Sequence, residues 1–157
     1  MRRKAKRKEA TLYRAVYVDY RNDPLPSRSE EGRFHDTPGT TTYLAGSRAT
    51  AWKEVQDHWN ADPKSYGMAV VSVRLRRIAD LTEPSVQARY GIDRRGLTGL
   101  DYELCQKLTR RLRAEGFEGL WTFSKADSPG GRQLVIFLDQ LQPDSSIRVS
   151  GVEPVAA

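Results

Sequence analysis

The sequence predicts a single α+β domain in which a mixed sheet is flanked by helices. Short runs of β-branched and aromatic residues interleave with amphipathic segments in an irregular order, without the steady strand–helix alternation that builds a parallel sheet. The chain has 157 residues, of which 38% are hydrophobic and 29% charged, as in an ordinary globular domain. This length encloses one core with one pocket.

The first two strands lie on either side of a polar loop. Residues 12–18 are rich in β-branched and aromatic side chains and predict a strand, which ends before the proline-bearing loop 22–28. Residues 41–45 predict a second, short strand. Because successive side chains of a strand alternate in direction, we expect Tyr43 and Leu44 to point to opposite faces.

A helix, a central strand and a short helix follow. Ser47 has the side chain of an N-cap, and the helix after it is predicted to end near Asn60. Residues 68–75 are apolar enough for a central strand, and residues 80–91 predict a turn and a short helix. The apolar positions that mark the first helix are Ala51, Trp52, Val55 and Trp59.

The last helix is predicted over residues 101–115, with Gly116 as its C-terminal cap. Cys105 shares the apolar face of this helix and is expected to be a packed thiol. The leucines that define that face are Leu104, Leu108 and Leu112.

The remaining strands are predicted at residues 119–123 and 133–138, and a Gly-rich loop, 124–131, connects them. The end of the chain is weakly patterned, with one further strand at residues 147–149.

The net charge of +6 is concentrated at the N-terminus, where six of the first eight residues are Arg or Lys. This block predicts a flexible basic tail at residues 1–10, a folded domain at 11–142, and a C-terminal strand or tail at 143–157. A small basic nucleic-acid-binding module stays an alternative. It is disfavoured because aromatic residues are not interleaved with the cations as stacking platforms. It would use the tail together with Arg110, Arg111 and Arg113.

The sequence favours a cytoplasmic protein. No apolar run approaches the roughly 18–20 residues that cross a bilayer, and no apolar segment follows the basic N-terminus, so neither a membrane contact nor a secretion signal is expected. The lone Cys105 fits a reducing compartment. No metal is expected, since His35, His58 and Cys105 do not have the spacing of zinc ligands.

The stretch 32–55 contains the most informative residues of the chain, because Arg33, Tyr43 and Glu54 follow one another along a loop, a strand and a helix. An arginine fork suits paired phosphate oxygens, a tyrosine ring stacks on a flat heterocycle, and a carboxylate stabilises positive charge on a sugar. Together these groups indicate a dinucleotide ligand such as NAD, bound as a substrate. No cofactor is expected.

Several short motifs in this order resemble the RES-domain family, over about residues 12–141. The resemblance implies a fold similar to the ADP-ribosyltransferases and a bacterial toxin that degrades NAD by hydrolysis or phosphorolysis, with inorganic phosphate as co-substrate in the second case. It also implies an antitoxin partner with a helix-turn-helix DNA-binding domain. The motifs are Leu12-Tyr13-Arg14, Gly32-Arg33-Phe34, Thr42-Tyr43-Leu44-Ala45, Ala51-Trp52-Lys53-Glu54-Val55, Phe123-Ser124 and Gly130-Gly131.

The resemblance implies five site residues. Arg14 and Arg33 would clamp a diphosphate, and Glu54 would stabilise an oxocarbenium-like ribose. Tyr43 would offer its ring to nicotinamide and its hydroxyl to a ribose or to Glu54. Ser124 would orient Glu54 or the ribose, and it is not proposed as a nucleophile because no His or Lys is placed to activate it.

Two departures from the family pattern and several alternatives stay open. His35 stands where family members often have a small polar amide or acid, and Ser128 competes with Ser124 as the site serine. The acceptor is water, phosphate or a macromolecule, and the last would make the protein an ADP-ribosyltransferase. A catalytically inactive relative that binds NAD is a further alternative.

Overall fold

A computed structural model describes residues 5–29, 31–59 and 62–155. Within this part of the chain, a six-stranded mixed sheet packs with four α-helices, which confirms the predicted α+β class. The strands are β1 (Ala5–Tyr17), β2 (Thr41–Ala45), β3 (Tyr66–Asp80), β4 (Gly119–Phe123), β5 (Arg132–Phe137) and β6 (Ser146–Pro154). The helices are α1 (Arg48–Trp59), α2 (Pro84–Tyr90), α3 (Arg94–Thr98) and α4 (Tyr102–Ala114).

The sheet curls so that its first strand, β1, pairs with β3, while β6 lies on the other side of β3. The strand order is β1-β2-β5-β4-β3-β6, and β1 also pairs with β3 along almost its whole length, from Tyr17 opposite Tyr66 to Ala5 opposite Ala79. By contrast, β1 and β2 pair at a single position, Tyr13 opposite Ala45. The β3–β4 pair is parallel and the other pairs are antiparallel, so the sheet is mixed, as predicted.

Three apolar clusters hold the strands and helices together. The interior of the curled sheet is filled by β-branched and leucine side chains, for example Leu12, Leu44, Val71, Leu134 and Ile136. Helices α2, α3 and α4 cover the outside of β4 and β5 through Val86, Leu97, Cys105, Leu108 and Leu112. Helix α1 packs on β1 and β3 through Ala15, Ala51, Tyr66 and Met68. This last contact places α1 beside the opening between β1 and β2.

Strand β1 corrects the predicted flexible tail, since residues 5–10 belong to the sheet. The lysines of this segment have partners on the neighbouring elements. Lys6 forms ion pairs with Asp80, at 3.5 Å, and with Glu83, and the Lys8 ammonium lies 3.6 Å from the centre of the Trp121 ring. In the sequence, the consecutive charged residues 6–9 of this strand therefore resembled a solvated charge block. Residues 1–4 lie outside the described part of the chain.

Other element boundaries also differ from the prediction. Strand β3 starts two residues earlier than predicted and continues to Asp80, because its arginines alternate with buried residues and point outward. Helix α3 was not predicted, and β6 is longer than the predicted residues 147–149. The predicted end of α1 near Asn60 falls outside the described residues.

Helix α4 buries a slightly different stripe from the predicted one. Cys105, Leu108 and Leu112 are buried, but Leu104 is 50% exposed. Each step of four residues overshoots a full helical turn by about 40°, so a stripe of three such positions drifts out of the contact. The packed thiol of Cys105 is confirmed.

A buried carboxylate connects the C-terminal end of β3 to the segments around it. Glu118 is fully buried, and its Oε1 accepts hydrogen bonds from the backbone amides of Arg76, at 2.8 Å, and Arg77, at 2.9 Å. Its Oε2 accepts one from the amide of Gln142, at 2.9 Å. Three otherwise unpaired amides are thereby satisfied by one side chain.

No helix within the described residues combines the length and apolar content needed to span a lipid bilayer.

Candidate active site

An open cleft of about 880 Å³ lies where β1 and β2 separate. After the single pair at Tyr13 and Ala45 the strands diverge, so residues 14–17 of β1 form one wall and Tyr43 of β2 lies on the other. This volume falls within the range of roughly 300–1,000 Å³ that is typical of small-molecule sites. Four of the five predicted site residues line the cleft, namely Arg14, Arg33, Tyr43 and Glu54.

The fifth predicted residue, Ser124, lies directly behind Glu54. Ser124 is buried at the end of β4, and its hydroxyl donates to Oε1 of Glu54 at 2.5 Å. The same hydroxyl accepts from the backbone amide of Asp127 at 3.3 Å. Glu54 is half-buried on α1, so the serine fixes the orientation of a carboxylate that still reaches the cleft. Ser128 is exposed on the following loop and is not in this contact.

Asp127 ties the loop after Ser124 to the start of α1. Its carboxylate accepts from the Thr50 hydroxyl at 2.6 Å and from the Lys53 ammonium at 3.3 Å. These two contacts, the hydroxyl first, hold the pKa of Asp127 below its usual value. The helix itself begins at the predicted N-cap, where the Ser47 hydroxyl accepts from the amide of Thr50 at 3.1 Å. The contacts of Asp127 and the N-cap at Ser47 thus stabilise the two segments that carry Ser124 and Glu54.

Arg14 spans the gap between the separating strands. Its Nε donates to the carbonyl of Pro24 at 3.0 Å and its Nη1 to the carbonyl of Tyr43 at 3.2 Å. Burial lowers the pKa of Arg14 to about 10, and the negative charge of Glu54 is among the influences that oppose the lowering. Arg14 therefore remains a cation at neutral pH, in a fixed position within electrostatic reach of Glu54.

Arg33 is presented by a tight, rigid turn. The amide of Gly32 donates to the carbonyl of His35 at 2.8 Å, and the side-chain amide of Gln106 on α4 donates to the carbonyl of Gly32 at 2.9 Å. A Cβ atom at Gly32 would lie 2.6 Å from Cε1 of His35, so only glycine fits there. The Arg33 guanidinium donates to the carbonyl of Gly99 and lies 4.5 Å from the centre of the Tyr102 ring.

The Tyr43 hydroxyl contacts this turn, while the contact with a ribose or with Glu54 that the resemblance implied stays a prediction. It accepts from the amide of Phe34 at 2.9 Å and lies 2.7 Å from Nδ1 of His35. Since the hydroxyl accepts the amide proton, its own proton goes to Nδ1, and Nε2 of His35 donates to the carbonyl of Ser29 at 3.2 Å. Burial raises the pKa of Tyr43, so the hydroxyl stays neutral. Tyr43 also lines the cleft.

Sequence reasoning did not find several residues of the cleft. Gln106 and Asp127 stabilise the two segments that present the site, and Lys125 lines the rim beside Ser124. The sequence gives only weak signals for these residues, namely a position close to a motif or on a predicted helix. An aromatic and cationic group at one end of the cleft was also missed, namely Tyr17, Tyr20, Arg28 and Tyr66.

Among the described residues, no group of three or more His, Cys, Asp and Glu side chains is placed to hold a metal ion.

The arginines of the predicted basic cluster are engaged in ion pairs with acidic residues. These pairs are Arg110–Asp36 at 3.0 Å, Arg111–Glu115 at 3.1 Å and Arg113–Asp139 at 2.8 Å.

The fold and the site define a class of α+β domain in which a curled mixed sheet opens into a cleft with one oriented carboxylate and two guanidinium groups. The model of the RES domain family matches residues 11–154, so the chain belongs to the RES-domain family. This match includes strand β6, which lies in the segment 143–157 that was predicted to be separate from the domain.

One solved structure with the same fold is that of the MbcT-MbcA toxin-antitoxin complex of M. tuberculosis. The likeness has a TM-score of 0.74 at 18% sequence identity, and it covers 94% of this chain and 85% of the other. A sequence comparison with curated proteins gives no match.

Proposed function

We propose that this protein is a toxin-type enzyme that degrades NAD by cleaving the bond between nicotinamide and ribose. The observation that carries the proposal is the half-buried Glu54, oriented by Ser124 inside the cleft that Arg14 and Arg33 also line. The family resemblance of these positions supports the same assignment.

The proposed reaction needs charge stabilisation more than acid catalysis. When the bond from C1′ of the ribose to the pyridinium nitrogen breaks, its electron pair goes to that nitrogen and nicotinamide leaves as a neutral ring. The ribose is left with the positive charge of an oxocarbenium-like state. Glu54 would stabilise this charge, and the hydrogen bond from Ser124 holds its carboxylate in place before the reaction begins.

The two arginines would bind the diphosphate. Arg14 already uses Nε and Nη1 on backbone carbonyls, which fixes its guanidinium and leaves Nη2 for a ligand. Arg33 is held over the Tyr102 ring, and both residues line the cleft. Because both cations are positioned before binding, little side-chain entropy is lost when phosphate oxygens arrive.

The structural neighbour, a toxin-antitoxin complex, supports the proposal that this chain acts as a toxin under the control of an antitoxin. A cytoplasmic location is part of the proposal through the sequence. A helix-turn-helix DNA-binding domain in that partner is part of the proposal through the family resemblance. The alternative of a nucleic-acid-binding module receives less support, since the arginine cluster of α4 is neutralised by acidic partners.

The proposal is tested by incubating the protein with NAD and following the release of nicotinamide, with and without inorganic phosphate. ADP-ribose as the second product identifies water as the acceptor, and a phosphorylated ADP-ribose identifies phosphate. Transfer to an added protein or nucleic acid would instead identify an ADP-ribosyltransferase. Intact NAD after prolonged incubation with a folded protein would refute the proposed activity.

Arg33→Ala is expected to raise the KM for NAD by about 10- to 100-fold, because a charge-assisted contact to phosphate contributes roughly 1.5–3 kcal/mol. Arg33→Lys should recover a part of this loss, since lysine keeps the charge without the planar fork. Steady-state kinetics of nicotinamide release give the comparison. Arg95→Ala, on the exposed side of α3, is the matched control, and an equal effect of both substitutions would contradict the assigned role.

Lys125→Ala is expected to lower the rate of NAD cleavage only when phosphate is the acceptor. The exposed Lys125 lines the cleft next to Ser124, where an incoming phosphate would meet its positive charge. Rates measured over a phosphate titration should show a higher KM for phosphate and an unchanged rate without it. A loss of the same size at zero phosphate would show that Lys125 does not act on the acceptor.

A further inference from the structure

We propose that the end of the cleft formed by Tyr17, Tyr20 and Arg28 is a purine subsite, which binds the adenine base of the dinucleotide. This inference rests on the proposed function and assigns the direction in which NAD lies in the cleft. Nicotinamide then lies beside Glu54.

Two large aromatic side chains are exposed at this end of the cleft. Tyr17 is 48% exposed and Tyr20 is 42% exposed, and both line the cleft. Single exposed apolar residues are common, but neighbouring exposed rings inside a concave site indicate a ligand contact. Tyrosine rings and arginine planes are the groups on which proteins stack unpaired bases.

The rings form one rigid platform. The Tyr17 ring stacks on that of Tyr66 with centroids 4.5 Å apart, and Tyr20 meets Tyr17 edge-on at 6.5 Å. Tyr66 is buried and packs edge-on against Trp52 of α1 at 5.8 Å. Since the platform is anchored in the core, a base that stacks on it does not have to order mobile side chains.

Arg28 completes this end of the cleft. Its guanidinium lies 3.9 Å from the centre of the Tyr20 ring. It is held there by hydrogen bonds to the carbonyls of Pro26, at 2.9 Å, and Asp23, at 2.7 Å. A fixed, planar cation beside exposed rings favours a neutral, electron-rich base such as adenine.

Charge decides which base of NAD fits this end. The nicotinamide ring of NAD is a pyridinium cation, which Arg28 would repel. Arg14 does not discriminate between the two bases, because, after the larger effect of burial, the charges of both Arg28 and Glu54 influence its pKa. The half-buried carboxylate of Glu54 attracts the pyridinium, whereas Glu31, the other acidic residue of the cleft, is exposed.

Arg14 and Tyr17 both line the cleft and lie three residues apart on β1, which is about 10 Å along an extended strand. In the proposed orientation the diphosphate lies between the two bases, near the arginines.

The test compares NAD with nicotinamide mononucleotide, which has the same scissile bond but no adenine. Tyr20→Ala should lower kcat/KM for NAD by about 5- to 100-fold, the range expected from the loss of one base stack, and should leave cleavage of the mononucleotide unchanged. Tyr20→Phe keeps the ring and should retain activity on NAD. Equal losses on both substrates would place nicotinamide on the platform and overturn the inference. Unchanged activity of Tyr20→Ala on both substrates would also overturn it.

Binding of AMP, measured by calorimetry, separates this inference from the proposed function. Wild-type protein should bind AMP, Tyr20→Phe should bind it equally well, and Tyr20→Ala should bind it at least fivefold more weakly. If NAD is not cleaved but AMP binding follows this pattern, the proposed activity fails and the purine subsite stands. If NAD is cleaved but Tyr20→Ala binds AMP as tightly as the wild type, the subsite is refuted alone.

Discussion

Replacing Glu54 with glutamine is expected to lower the kcat for nicotinamide release by about 10²- to 10³-fold, the usual cost of removing one preorganised electrostatic contact to a transition state. Glutamine retains an oxygen that accepts the Ser124 hydroxyl, so the local geometry and the fold should persist. The charge that opposes the oxocarbenium-like ribose is lost. The KM for NAD should rise by a smaller factor than kcat falls, because Glu54 also attracts the pyridinium of bound NAD, whereas the charge on the ribose develops only in the transition state.

The control for this prediction is Glu103→Gln, since Glu103 is an exposed glutamate in the first turn of α4, outside the cleft. Circular dichroism and ADP-ribose binding verify that the Glu54 variant is folded and binds the nucleotide. An unchanged kcat in the Glu54→Gln variant would show that the carboxylate takes no part in the mechanism.

Ser124→Ala should lower the kcat for nicotinamide release by less than Glu54→Gln does, because this substitution removes the hydrogen bond that orients the carboxylate and keeps the charge of Glu54.

Glu118→Ala is expected to destabilise the protein by about 3–5 kcal/mol, because each donor left without an acceptor costs roughly 1–3 kcal/mol and three donors are affected. The substitution leaves the amides of Arg76, Arg77 and Gln142 without the acceptor that the fully buried Glu118 supplies. Unfolding by urea, followed by circular dichroism, measures the change in the free energy of unfolding. The melting temperature should fall by roughly 10 °C for a domain of this size.

The matched control is Glu9→Gln, on the exposed side of β1, where the glutamate side chain is 73% exposed and lies 3.8 Å from Arg74. This change should stay within about 0.5 kcal/mol. Glu118→Gln should give an intermediate loss, since its oxygen still accepts but its amide nitrogen faces a backbone donor. Equal unfolding midpoints for Glu118→Ala and Glu9→Gln would show that the buried carboxylate is not a structural contact.

Elements with a strong local pattern were predicted well. The bounds of β2 and β4 agree with the prediction, and α1 begins after the predicted cap at Ser47, because turn residues or a capping side chain bound these segments. Strand β1 was mistaken for a tail at residues 5–10 because four consecutive charged residues, 6–9, resemble a solvated block. The five-residue α3 is too short to show a helical period.

For the candidate site, too, some features were found from the sequence and others were not. The motif residues Arg14, Arg33, Tyr43 and Glu54 were found from the sequence and line one cleft. The role of the Tyr43 hydroxyl was not found, because it depends on how the turn around His35 folds back onto β2.

By itself, the sequence determined the fold class, the strands β2 and β4 and the start of α1, and it named the candidate site residues, because these depend on side-chain chemistry and local periodicity. Only the tertiary structure decided that β1 and β2 part after one pair and that Ser124 is the serine in contact with Glu54. It also decided that an aromatic platform closes one end of the cleft. Ser124 and Glu54 are separated by 70 residues, and a contact over that distance is set by the packing of α1 against the sheet, which no local pattern encodes.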